Sequence, residues 1–309
     1  MKNRQRVANT DIEIYPIILG SVGAGKEFDE KAAAAIIEKY LDLGGNALDS
    51  ARLYADGRSE WVIGNWLRKT KRRGEVILIT KGGHPRMDTM DIGRMSLADM
   101  RKDLEESLEA LGTGYIDIYL FHRDNPRQPV EESVGIMEQF VKEGKIRYYG
   151  CSNWTVPRIT EAIRYCGGHG LKGFSANQML YNLGSDNMNP FPDKTMISMD
   201  SQMKELHRNN PILAMPYFGV CGGFFHQYAA GGEESVKGSP YNTPKNLALA
   251  KRVIELAANY NAGITQVVLG FYLRQDFPLC PLYGATEPEQ LDDLAGILET
   301  PFTAADFIC

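Results

Sequence analysis

Two hydrophobic periods alternate along this chain, and that alternation constrains its fold more than any other feature. Short runs rich in β-branched and aromatic residues give way to stretches whose apolar positions recur every three to four residues. The strand-like runs are Ile12–Gly20, Asn46–Ser50, Glu75–Lys81, Tyr115–Phe121, Ile146–Ser152, Gly173–Met179, Pro211–Tyr217 and Leu279–Tyr283. Helical spacing follows over Asp29–Leu43, Ser59–Lys69, a run from Ser96 through Met100, Leu104, Leu108 and Leu111, Pro129–Lys142, Val156–Tyr165, Ser198–Asn209, Asn246–Tyr260 with Thr265–Arg274, and Pro288–Leu298. Glu75–Lys81 is nearly continuous in apolar residues, as a strand covered on both faces should be. Strand and helix in strict alternation imply a parallel sheet. Eight such units in 309 residues predict a closed (β/α)8 TIM barrel, an α/β fold, with the whole of 1–309 as one domain. A dinucleotide-binding open sheet is the competing reading. Its glycine fingerprint is not matched by Gly20-x-x-Gly23-x-Gly25, and Asp49 lies about 30 residues on, where about 20 is expected.

Composition narrows the function classes. Hydrophobic residues make up 43% and charged residues 24%, as in ordinary globular proteins. A net charge of −5 gives no footprint for nucleic acid. The cluster Lys69, Lys71, Arg72 and Arg73 reads as a solvated helix end. The five cysteines, Cys151, Cys166, Cys221, Cys280 and Cys309, form no C-x-x-C pair and are odd in number. With the polar start MKNRQRVANTD and no apolar run approaching the ~20 residues that span a bilayer, a reduced, cytoplasmic location with no membrane partner is expected. His84, His169, His207 and His226 show no metal-ligand spacing, so no metal is expected.

Four residues carry the chemistry. Asp49, Lys81 and His122 each end a strand-like run, and Tyr54 lies on the loop five residues after Asp49. Each alone has a bland reading: a turn cap, a surface tyrosine, a satisfied core histidine. Lysine is the exception, since it is rarely buried without a partner. A phenol with an ordinary pKa of ~10 is a poor proton donor at neutral pH. An ammonium about 4 Å away, at an effective dielectric near 20, attracts the phenolate by up to about 4 kcal/mol, so Lys81 is expected to lower the pKa of Tyr54. Asp49 would hold Lys81 charged, and His122 would bond the reacting oxygen. The set suits protonation of a carbonyl oxygen. No side chain donates hydride, so a nicotinamide cofactor is implied.

These motifs resemble the aldo-keto reductase family over roughly Ile14–Leu298. LDSARLYADGRSEWVIG is similar to its Asp-x-Ala-x-x-Tyr-Gly-x-Ser-Glu-x-x-x-Gly signature, ITKGG to its lysine strand, and LFHRDNPRQPVEE to its histidine strand. GKIRYYGCSNW and SANQMLYNL resemble the segments that follow. The bacterial, inositol- and sugar-associated branch is the expected one, on the long loop after Pro211–Tyr217. The resemblance implies that Tyr54 is the general acid in reduction and the base in oxidation, tuned by Lys81 and Asp49, with His122 orienting the carbonyl. It implies that Ser152, Asn153 and Gln178 bond the nicotinamide carboxamide, and that Gly20, Ser21 and Asp49 lie against the cofactor. Gly219–Gly223 would line the pyrophosphate, with Phe218 beside it. Gly284–Gln290, including Thr286, Glu287 and Gln290, would surround the adenosine ribose. Tyr54, His122, Arg123, Trp154 and Phe224 would face a small carbonyl or sugar substrate.

Two departures from the family pattern stand out. Relatives carry an aromatic that stacks on the nicotinamide within Ala-Tyr-Ser-Pro-Leu-Gly; here the run is Ala214-Met215-Pro216-Tyr217-Phe218-Gly219. Either Met215 or Tyr217 covers the ring face. NADP(H) is the family habit, yet YGATEPEQLDD has no base and four carboxylates, Glu287, Glu289, Asp292 and Asp293, so relaxed or NAD(H)-leaning specificity is expected. The stretch 218–243 is long for a loop, and its Phe224, Phe225, Tyr228 and Tyr241 are either local packing or a substrate lid. Two other functions compete: a cofactor-binding regulatory subunit of the same fold, and a barrel glycosidase, for which Tyr217-Phe218-Gly219-Val220 offers no second carboxylate. Substrate identity, physiological direction and oligomeric state are not legible in the sequence.

Overall fold

A computed structural model describes residues 4–307. The chain opens with a small antiparallel hairpin, β1 (Gln5–Arg6) and β2 (Glu13–Ile14). Eight parallel strands follow: β3 (Ile18–Gly20), β4 (Ala47–Asp49), β5 (Ile77–Gly82), β6 (Ile116–Phe121), β7 (Ile146–Ser152), β8 (Phe174–Gln178), β9 (Leu213–Ala214) and β10 (Leu282–Gly284). Neighbours pair in sequence order, and β10 pairs with β3. The remaining gap closes between β9 and the approach to β10, where the Cys280 N–H donates to the Ala214 carbonyl at 2.9 Å and Leu282 to Pro216 at 2.7 Å. The fold is therefore the (β/α)8 barrel.

Nine helices stand among the described residues. They are α1 (Glu30–Asp42), α2 (Arg58–Thr70), α3 (Leu97–Leu111), α4 (Val130–Lys142), α5 (Val156–Gly168), α6 (Ser201–Asn209), α7 (Phe224–Gly231), α8 (Pro244–Tyr260) and α9 (Ile264–Gly270). Local chemistry sets their ends. Asp29, Ser96, Asp200 and Thr243 each accept a hydrogen bond from a first-turn N–H, and Gly112 closes α3 in a left-handed conformation.

The strand period of two decides what enters the barrel. Ala47, Ile79, Ile118, Leu120, Ala176, Leu213 and Met215 form one buried interior cluster with Ile18 and Leu282. The alternate residues, including Leu48, Leu78, Tyr119 and Phe121, pack outward against the helices. Two positions beyond Ala47, Ile79, Leu120, Ala176 and Met215 come Asp49, Lys81, His122, Gln178 and Tyr217. Inward-facing positions thus carry chemistry into the layer above the apolar core, at the C-terminal ends of the strands.

Three sequence expectations are corrected. Ile12–Gly20 is not one strand: Pro16, which has no N–H to give a ladder, separates the hairpin from β3. Val7, Ile12 and Ile14 then pack into the interior cluster and plug the barrel's other end. The closing helix Pro288–Leu298 is a short 3-10 run, Pro288–Leu294, after which Ala295 is extended and Gly296 turns left-handed (φ 74°). The stretch 218–243 is not an open loop. It folds as α7 with flanking 3-10 turns, and Phe224, Phe225 and Tyr241 are buried with Leu249, Val253 and Val267 of α8 and α9. The aromatic group is packing.

Candidate active site

A cavity of about 450 Å³ opens over the C-terminal ends of the strands, and Asp49, Tyr54 and His122 line it. At its base Lys81, fully buried, donates to Asp49 Oδ1 at 2.7 Å and to the Ser50 carbonyl at 2.6 Å. Gln178 donates to the other oxygen, Asp49 Oδ2, at 2.8 Å. The Lys81 ammonium sits 4.6 Å from the centre of the Tyr54 ring, and the His122 ring meets Tyr54 edge to face at 5.6 Å. Tyr54 reaches this position from a tight turn in which Ala55 and Asp56 are both left-handed, with φ of 49° and 56°. Such strain in non-glycine residues persists where the surrounding structure enforces it, often at functional sites.

Electrostatics refine the expected tuning. Burial raises the pKa of Tyr54 and outweighs the opposing pull of Lys81, so the phenol holds its proton above the usual range instead of below it. Burial alone would discharge Lys81, but Asp49 and Tyr54 more than offset it and keep the ammonium charged. Burial likewise pushes the Asp49 carboxyl up, against two donors that favour its ionised form. His122 is driven well below the usual histidine range, first by burial and then by Lys81, and is neutral. Its Nδ1 is buried without a protein partner.

The rest of the cavity fits a nicotinamide dinucleotide. Gly20, Gly219, Gly222 and Gly284 form its floor and wall. A Cβ on Gly219 would lie 2.2 Å from the Leu282 carbonyl oxygen. Phe218, Cys221, Gly222 and Gly223 are all left-handed and lead into the N-terminus of α7, which has no side-chain cap. The N–H groups of Cys221 and Gly223 donate back to the Phe218 and Val220 carbonyls at 2.8 Å and 2.9 Å, and the positive end of the α7 dipole beyond them favours a diphosphate. Ser21 and Ser152 line the same space.

Several expected residues stand elsewhere. Trp154 is buried between Phe121 and Phe174 and does not line the cavity. Phe224 is buried in the α7–α8 cluster. Met215 belongs to the barrel interior, so Tyr217 is the side chain of that pair that reaches the cavity. Asn153 lines the cavity, but its Oδ1 accepts from the Tyr217 hydroxyl at 2.7 Å and the Ile197 N–H at 3.0 Å, and its amide donates to Ser152 Oγ at 2.9 Å. Arg123 lines the cavity with its guanidinium bound to Asp193 at 3.0 Å and Thr195 at 2.8 Å. Thr286, Glu287 and Gln290 lie outside it, on the loop beyond Gly284, where Gln290 Oε1 accepts the Thr286 N–H at 2.9 Å. Leu53, Met87, Asp193 and Met196 in the cavity wall were not foreseen, because they come from loops. His84 was recoverable, since it follows Lys81 by three residues. No group of three metal-ligating side chains stands together among the described residues.

The fold and site together are thus a parallel barrel with an Asp–Lys–Tyr–His cluster at its C-terminal mouth, beside a glycine-lined groove. The sequence model of the Aldo/keto reductase family matches residues 16–308, and the chain belongs to that family. It is 25% identical to an aryl-alcohol dehydrogenase of Pestalotiopsis microspora, over 99% of this chain and 80% of that protein. It is 28% identical to an NADP(+) aldo-keto reductase of Schizosaccharomyces pombe, over 89% and 80%. It is 34% identical to a probable voltage-gated potassium channel subunit beta of Oryza sativa, over 52% of this chain and 49% of that protein.

Proposed function

We propose that this protein is an NAD(P)H-dependent oxidoreductase that interconverts a carbonyl and an alcohol on a sugar, polyol or related small carbonyl compound. The observation that carries the reading is Tyr54 set between Lys81 (4.6 Å) and His122 (5.6 Å) on the wall of a glycine-lined cavity. A nicotinamide cofactor, when bound, supplies the hydride. The chain's own residues manage the proton. Tyr54 keeps its phenol protonated until a carbonyl oxygen gains charge beside it. Lys81, fixed by Asp49 and the Ser50 carbonyl, then stabilises the phenolate left behind. Neutral His122 orients the carbonyl. In the oxidative direction the same phenolate accepts the alcohol proton.

NAD(H)-leaning or relaxed specificity accompanies this reading. Glu287, Glu289, Asp292 and Asp293 crowd the loop after β10, and Lys39, which reaches it from α1, is paired with Asp292 at 2.5 Å. Four described cysteines are free and buried, which suits a reduced, cytoplasmic setting. Titration with NADPH and NADH, followed by tryptophan fluorescence, tests the reading. Binding of either, then turnover of sugar, inositol and simple aldehydes, is expected. Binding of neither by folded protein would overturn it, and a KM for NADPH at least tenfold below that for NADH would overturn the specificity alone. The rice relative's name favours a second reading, a cofactor-binding regulatory subunit. Tight binding without turnover of any carbonyl would select it.

A further inference from the structure

The loop leaving β5 is built to present one side chain. Gly82 has no room for a Cβ, which would lie 2.1 Å from the Tyr119 hydroxyl. Gly83 turns left-handed (φ 76°), and its N–H donates to Asp103 Oδ2 at 2.8 Å. Arg94, paired with Asp103 at 2.9 Å, donates to the His84 carbonyl at 3.0 Å. The side chain so held is His84, 6% exposed, its ring 4.7 Å from that of His122 and inclined at 73°. Both rings line the cavity.

The tautomer follows from one contact. His84 Nδ1 lies 2.6 Å from the Pro85 carbonyl oxygen. A carbonyl only accepts, so Nδ1 carries the proton and Nε2 of the neutral ring keeps its lone pair. That nitrogen has no hydrogen-bond partner within the protein and is not sealed from solvent. Other groups on this side of the cavity do not compete for a donor. Leu53 and Met87 are apolar, and the Asp193 carboxylate is taken by Arg123 and Thr195. Two adjacent imidazoles suit two oxygens on neighbouring carbons, with His122 at the carbonyl.

We propose that His84 is a specificity-determining residue whose Nε2 accepts a hydrogen bond from a hydroxyl on the carbon next to the substrate carbonyl, making α-hydroxy aldehydes and ketones the preferred class. The proposal rests on the oxidoreductase reading above. A site that offers an acceptor to a substrate hydroxyl discriminates against the analogue lacking it, because the acceptor is then desolvated and unpaired.

Lactaldehyde and propionaldehyde differ only in that hydroxyl. The ratio of their kcat/KM values is compared among wild type, His84→Phe and His84→Gln, so that aldehyde hydration cancels. Tryptophan quenching by cofactor confirms that each variant is folded. The ratio is expected to fall at least tenfold in His84→Phe and to be largely regained in His84→Gln, which restores an acceptor. An unchanged ratio in His84→Phe, or an equal loss on both aldehydes, overturns the proposal while leaving the oxidoreductase reading intact. Reduction of neither aldehyde by wild type that turns over another carbonyl with the same cofactor also overturns the proposal and leaves the oxidoreductase reading intact, whereas no turnover of any carbonyl overturns both.

Discussion

Tyr54 is useful only while its phenol is protonated at the moment a carbonyl oxygen needs a proton. Burial secures that condition, and Lys81 becomes important once the proton has gone. Tyr54→Phe keeps the ring and removes the hydroxyl. Turnover is expected to fall roughly a thousandfold or more, with cofactor affinity nearly unchanged, because only the transition state uses the hydroxyl. Activity within tenfold of wild type would refute the assignment. At this scale Asp49, Lys81 and His122 were legible because a period of two carries the last residue of a buried strand to the same face as its apolar predecessors. Trp154 and Phe224 were misplaced for the opposite reason. Nothing in a loop sequence tells an aromatic ring that faces a ligand from one that faces Phe121 or Tyr241.

The elements show where glycine is a packing requirement. Gly64 sits in the middle of α2, where glycine disfavours a helix. A Cβ there would lie 2.0 Å from the Ala110 carbonyl oxygen and 2.8 Å from Leu111 Cα, so α2 and α3 approach as closely as they do only because the position is bare. Gly64→Ala is expected to destabilise the fold by about 3 kcal/mol, as overpacking against backbone does. A midpoint in urea equal to that of wild type would disprove the close approach. Helix boundaries were readable to within a residue or two where a cap such as Ser96 marks them, whereas the helix read from Ser198 starts at Ser201, after the cap Asp200. The stretch 218–243 was not readable, because its short helix buries Phe224 and Phe225 against α8 and α9, elements that follow it in sequence.

For the whole molecule, acid is the exposed weakness. His84, His122, His207 and His226 are all held below the ordinary histidine pKa of 6.5, in each case chiefly by burial. A group whose folded pKa is depressed binds its proton more weakly in the folded state. Below pH 6.5 the unfolded chain therefore takes up more protons, and stability falls as pH falls. Thermal midpoints are expected to hold between pH 8 and 7 and to decline from about pH 6.5, before most carboxylates titrate. A flat profile down to pH 5 would contradict the burial of these rings.

The hairpin at the start of the chain has a practical meaning. It seals the end of the barrel remote from Tyr54 and is tied there by Asp11 to Arg147 at 2.6 Å and to the Tyr148 hydroxyl at 2.9 Å. The described residues thus form a vessel open at the mouth beside Tyr54, with the hairpin as its foot. A surface or a fused partner attached through that foot would hold every copy with its mouth turned toward solution, so the protein arrives already oriented for immobilisation.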